Sequence, residues 1–118
     1  MLDPNHPPGA PRAPVITVDE SPGLVTVRLT GEFDMANVAE VEDVLERVSG
    51  HNHVNIDLTS CDFLDSSILR VLLRASSDAR TRDRWLSVTV PPPGSIVHRV
   101  LEIAGAFELM DITIAPVE

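Results

Sequence analysis

The sequence has no lysine: all nine basic residues are arginine. That absence closes every mechanism that needs a lysine amine, including phosphate-loop nucleotide hydrolysis, Schiff-base chemistry and lysine-dependent phospho-receiver signalling. A single cysteine, Cys61, excludes an internal disulfide framework and a multi-cysteine metal site, and fits a reducing cytosol. No apolar run approaches the roughly 20 residues of a membrane-spanning helix. The opening MLDPNHPPGAPRAP lacks the basic start and apolar stretch of a secretory signal, so a soluble, cytoplasmic protein is expected. Positive charge is scarce as well. A formal net charge of −9 opposes approach to nucleic acid or an anionic membrane and points to a protein or small-ligand partner.

What is present suits one compact domain: 118 residues, 43% of them hydrophobic. Residues 1–14 hold five of the ten prolines and read as a disordered or extended arm, because proline removes backbone donors and helix geometry. The fold is expected over 15–118. PVITV and LVTVRLTG alternate in the strand manner around a Pro22-Gly23 turn, which predicts a hairpin. From Asp34, a plausible N-cap, the period changes: Val38, Val41, Leu45 and Val48 share one helical face, and Gly50 stands ready to end it. HVNIDL then reads as a strand, FLDSSILRVLLRASSDAR as a helix and WLSVTV as a strand. After the PPPG break, SIVHRVLEIAG reads as a third helix with Ser95 as cap and Gly105 as stop, and DITIAP as a last strand. The order predicts an α/β domain: a mixed, mostly parallel sheet of about five strands with three helices and right-handed crossovers. There is no internal repeat.

The segment TSCDFLDSS joins the IDL strand to the middle helix, which places Asp62, Asp65, Ser66 and Ser67 on the edge formed by the carboxyl ends of the strands, where ligands and partners bind in such sheets. Two roles stay open for the hydroxyls. Asp65 or Ser66 can simply cap the helix, worth about 1 kcal/mol. A serine at a helix start also lies at the positive end of the dipole, where a phosphate is well accommodated.

The stretch IDLTSCDFLDSSILRVLLRA resembles the signature segment of the STAS domain family, specifically its anti-sigma factor antagonists: a strand ending in Asp-Leu, a short loop, then Asp-Ser-Ser-Gly-Leu opening a helix. The upstream LTGEFD, followed by an acidic helix, resembles that family's Gly-Glu-Leu/Phe-Asp turn, and the likeness runs over about residues 15–115. The resemblance implies a single STAS-like domain that captures an anti-sigma factor, itself a serine kinase, and so frees a sigma factor. It further implies that the kinase phosphorylates the first serine of the pair, Ser66, that a serine phosphatase reverses this, and that Asp34 lies near the same docking surface as Asp62, Asp65, Ser66 and Ser67. No cofactor is implied. The sequence departs from the pattern where the family glycine after the serines is Ile68, expected to meet a partner with a deeper apolar pocket. The chain also stops at Glu118 without the family's closing helix, which is expected to expose one sheet face to a partner or a homodimer. The alternative is an adaptor subunit of a transport or stress-sensing complex that is never phosphorylated and in which Ile68 belongs to a permanent interface.

Other residues are expected to be structural. His51 and His53 share a face at the start of a strand without a third metal ligand, so no metal site is expected. His98 reads as packed or half-exposed. Cys61, beside Asp62, is expected to be an inert thiol because the neighbouring charge disfavours its thiolate. Trp85 is expected to anchor a helix-to-strand corner, and the acidic face of the first helix to be solvated or to steer a basic partner. Without a G-x-S-x-G elbow, Ser66 is not expected to be a hydrolase nucleophile, and no enzymatic activity is expected.

Overall fold

The computed structural model describes residues 12–117. The hairpin forms as its alternation requires: β1 (Val15–Ser21) pairs antiparallel with β2 (Leu24–Phe33) around Pro22 and Gly23, with Gly23 at φ 79°. That left-handed turn costs glycine little and any other residue more, so the turn chemistry fixes the register. A 3-10 turn (Met35–Asn37) leads into α1 (Val38–Val48), then β3 (His53–Asp57), β4 (Cys61–Leu64), α2 (Ser66–Thr81), β5 (Trp85–Val90), α3 (Ile96–Ile103), a second 3-10 turn (Ala106–Glu108) and β6 (Asp111–Ile114). The sheet order is β1-β2-β3-β5-β6, with every pair but the first parallel, and β4 pairs with the far end of β2.

Two expectations change in detail. Among the described residues the sheet has six strands rather than about five, because Cys61–Leu64, read as the connection into the middle helix and its first two residues, is a short strand. Its Cys61 and Leu64 are buried, and it takes up the backbone groups of β2 beyond Gly31, which β3 does not reach. The α-helix starts at Val38 rather than directly after Asp34; Asp34 caps the intervening 3-10 turn instead.

One hydrophobic core gathers Val25, Val27 and Leu29 of β2, Val54 and Ile56 of β3, and Leu86, Val88 and Val90 of β5 beneath the apolar stripes of the helices. The alternate positions carry polar groups. Arg28 pairs with Asp57 at 3.1 Å, and the Ser87 and Thr89 hydroxyls both donate to Asn55 Oδ1. This two-faced strand pattern is the reason the helices cover the side they do.

Residues 1–11 of the proline-rich arm lie outside the described residues. Its last part is described and anchored. The Arg12 carbonyl accepts from the Glu32 N–H at 3.2 Å, and its guanidinium bridges to Asp62 and the Ser60 carbonyl. This backbone crosses directly over Gly31, at φ 96°, where a Cβ would collide with the Ala13 carbonyl oxygen. Only glycine allows the crossing.

Candidate partner-docking site

At the carboxyl edge of the sheet, two separate turns are held together by one carboxylate. Asp65 is the N-cap of α2, with extended backbone (φ −100°, ψ −179°). Its Oδ1 accepts from the Ser67 N–H at 3.0 Å, the Ile68 N–H at 3.1 Å and the Ser67 hydroxyl at 2.5 Å. Its Oδ2 reaches across 30 residues of sequence to the Met35 N–H at 3.0 Å. Burial pushes the Asp65 carboxyl upward, but the hydrogen bonds from Ser67, Ile68 and Met35 outweigh it and leave its pKa below the usual carboxylate value. The other turn is fixed by its own capping box: the Ala36 N–H donates to Asp34 Oδ1 at 2.9 Å and the Asp34 N–H to Asn37 Oδ1 at 3.0 Å.

This arrangement separates the two serines. Ser67 is half-buried and its hydroxyl is engaged by Asp65. Ser66, the first residue of α2, is exposed, and among the described residues its hydroxyl has no hydrogen-bond partner. Capping of α2 therefore falls to Asp65, and the Ser66 oxygen is not needed for it.

Of the other expected site residues, Asp34 is exposed and joined to Asp65 through the Met35 turn. Asp62 is exposed on β4, but its charge is answered by the bidentate Arg12 guanidinium, at 2.5 and 2.8 Å. That contact raises the Arg12 pKa, the hydrogen bond being the leading cause. Ile68 needs correction: expected on the partner-facing surface, it is fully buried. Position 68 is the third residue of α2, and the turn that aims Ser66 outward aims Ile68 into the core. Its side chain fills core volume where the family pattern has glycine, and it offers no partner surface.

Sequence reasoning missed two residues here. Met35 has a side chain 75% exposed, directly after the Asp34 cap. Its spacing continues the Val38, Val41, Leu45, Val48 stripe, and only its place in the 3-10 turn ahead of α1 leaves it outside the core. Arg12 was hidden in the arm, and only the tertiary path brings it to Asp62.

The residues expected to be structural fall elsewhere. The Cys61 thiol is buried, and burial, together with lesser contributions, pushes its pKa to about 11, so it stays protonated. His53 stacks on Trp85 with ring centres 3.9 Å apart, and the Trp85 indole N–H donates to Asp111. His98 is buried, with Nδ1 2.8 Å from the Pro91 carbonyl oxygen. Among the described residues no three potential metal ligands cluster, and no helix is long and apolar enough to cross a membrane.

A two-faced mixed sheet with a capped helix presenting Asp-Ser-Ser at its carboxyl edge defines the class. Residues 16–111 match the family model described as "Mlab, STAS domain", and the chain belongs to the STAS domain family. Within it, the chain is 31% identical over 103 residues to an anti-sigma F factor antagonist of Paenibacillus polymyxa, covering 82% of this chain and 84% of that protein. The fold is that of an anti-sigma factor antagonist from Mycobacterium paratuberculosis (TM-score 0.75, 20% identity, 89% of this chain and 87% of that one). It is likewise that of the Bacillus cell-fate determinant SpoIIAA in its phosphorylated form (TM-score 0.64, 15% identity, 86% and 92%).

Proposed function

We propose that the chain is an anti-sigma factor antagonist: it binds an anti-sigma factor that is a serine kinase, releases the sigma factor, and is switched off when that kinase phosphorylates Ser66, with a serine phosphatase restoring it. The observation that carries this reading is the contrast between the two hydroxyls, Ser66 exposed and unengaged, Ser67 held by Asp65. The homology to the Paenibacillus antagonist supports the binding role. A phosphoserine adds nearly two negative charges. At the first position of α2 the helix dipole tolerates that charge, so the fold survives, while a partner surface pressed against this edge meets a hydrated dianion beside Asp65. The switch acts on binding and leaves the structure in place.

Incubation with the anti-sigma kinase and ATP is expected to label the wild type and leave Ser66→Ala unlabelled; equal labelling of both removes the assignment. Ser66→Asp is expected to lose the partner while its circular dichroism is unchanged. A second reading, a STAS adaptor that is never phosphorylated, draws on the matching family model, which is not described by an anti-sigma role. Stable partner capture with no labelling under any kinase favours it.

A further inference from the structure

The docking edge contains a large apolar side chain that the fold does not use. Met35 is 75% exposed, yet its backbone is held in place: its own N–H is bound by Asp65 Oδ2, and the turn around it is closed by the Asp34–Asn37 capping box. A rigid backbone presenting a flexible, polarisable thioether suits a contact whose ordering cost is already met on one side and which adapts to its socket on the other. Around it the charge is negative. Glu32, Asp34 and Glu40 have no arginine partner among the described residues, and Arg12, whose carbonyl is bonded to the Glu32 N–H, is already engaged with Asp62.

We propose, resting on the antagonist reading above, that Met35 is the apolar anchor of the docking surface and that it inserts into a socket on the anti-sigma factor bordered by arginine or lysine. The partner's basic rim answers Glu32, Asp34 and Glu40, and its apolar socket takes the Met35 side chain; anchors of this kind, desolvated at the centre of a polar ring, dominate interface energetics. The same geometry explains how a modification at Ser66 reaches the anchor. Ser66 follows the residue that holds the Met35 backbone, so a phosphate there brings tightly bound water and charge next to a contact that needs to be dry.

The test is calorimetric titration of the full chain into the purified serine-kinase anti-sigma factor of the same organism, in parallel with labelling by ATP. Met35→Ala is expected to weaken binding roughly 30-fold and Met35→Lys more, Met35→Leu to stay within about threefold, and rising salt to weaken the wild type. Ile103→Ala serves as control: that side chain is 73% exposed on α3, outside the proposed surface, and its loss is expected to change nothing. Circular dichroism checks that each variant is folded, and either Met35→Ala or Met35→Lys suffices for the comparison. Binding of a folded Met35 variant within about twofold of wild type overturns the anchor, and if Ser66 is still labelled the antagonist reading stands without it. Loss of binding in the Met35 variants with no labelling of Ser66 keeps the anchor and removes the phosphorylation switch. A wild type that does not bind the anti-sigma factor removes both.

Discussion

The two ends of the sheet present opposite chemistry: arginines around a cleft at one, carboxylates around an exposed hydroxyl and an exposed methionine at the other. At the amino end, a cleft of about 130 Å³ opens between α1 and α2 above Leu45, Val54, Val71 and Leu86, with Arg74, Arg82, Arg84, His51 and Trp85 among its lining. At the carboxyl end lie Asp34, Asp62, Asp65, Ser66 and Met35. A reader drawn to concavity would choose the amino end. Some of the polar groups there have structural explanations: both helices finish at that end, where cations complement exposed carbonyls, the Arg84 guanidinium donates to Asn52 Oδ1, and Glu42, Glu46 and Asp78 share the rim. At the carboxyl end the helices begin, carboxylates complement their N-termini, and the exposed groups include the Ser66 hydroxyl, without a hydrogen-bond partner among the described residues, and the Met35 side chain. The comparison teaches that a candidate docking site on this fold is chosen by chemistry and not by concavity alone.

Several measurements sharpen or break that contrast. The largest effect is expected for Ile68→Ala, which empties fully buried volume and should cost about 2–5 kcal/mol in chemical denaturation; a near-neutral result would put Ile68 back on the surface. Gly31→Ala comes next, at about 1–3 kcal/mol, because an L-residue is strained at φ 96° and collides with Ala13. Asp65→Ala should cost about 1–2 kcal/mol through loss of the α2 cap, and should also loosen the Met35 turn, visible as faster amide exchange at Met35.

The pH dependence follows from the same carboxylates. Asp65 and Asp57 both have folded pKa values below their unfolded ones; in each, burial pushes upward and is outweighed by hydrogen bonds, those of Asp57 coming from Thr59 and Arg28. Each therefore binds its proton less tightly when folded, so its stabilisation is complete above the unfolded value near 4 and is lost as pH falls through the folded one. Thermal melts from pH 6 down to pH 2 should show falling stability, with a shallower fall in Asp65→Asn. The smallest effect belongs to the amino end: Arg82→Gln is expected to change stability by less than about 0.5 kcal/mol and partner binding not at all. A marked loss of partner affinity there would move the docking surface to the cleft.

Much of this was legible before any coordinates. Hairpin, helices and the parallel majority of the sheet follow from period and punctuation, and the edge carrying Asp65 and Ser66 follows from strand order alone. The errors have a common cause. Cys61–Leu64 is too short to show a period of its own and becomes a strand only because β2 runs on past β3. Ile68 looked like surface by position in a motif, yet the rotation of α2 set by the Asp65 cap turns it inward.

Local rules, written within a few residues of one another, settled what this chain alone determines: the Pro22-Gly23 turn, the Asp65 cap, the apolar stripes and the absence of lysine. Tertiary structure decided everything that depends on residues far apart in sequence. It brought Met35 to Asp65 and Arg12 to Asp62, and required glycine at position 31. Those outcomes rest on hydrogen bonds and steric contacts spanning 18 to 50 residues of chain, and no local pattern encodes a partner at that range.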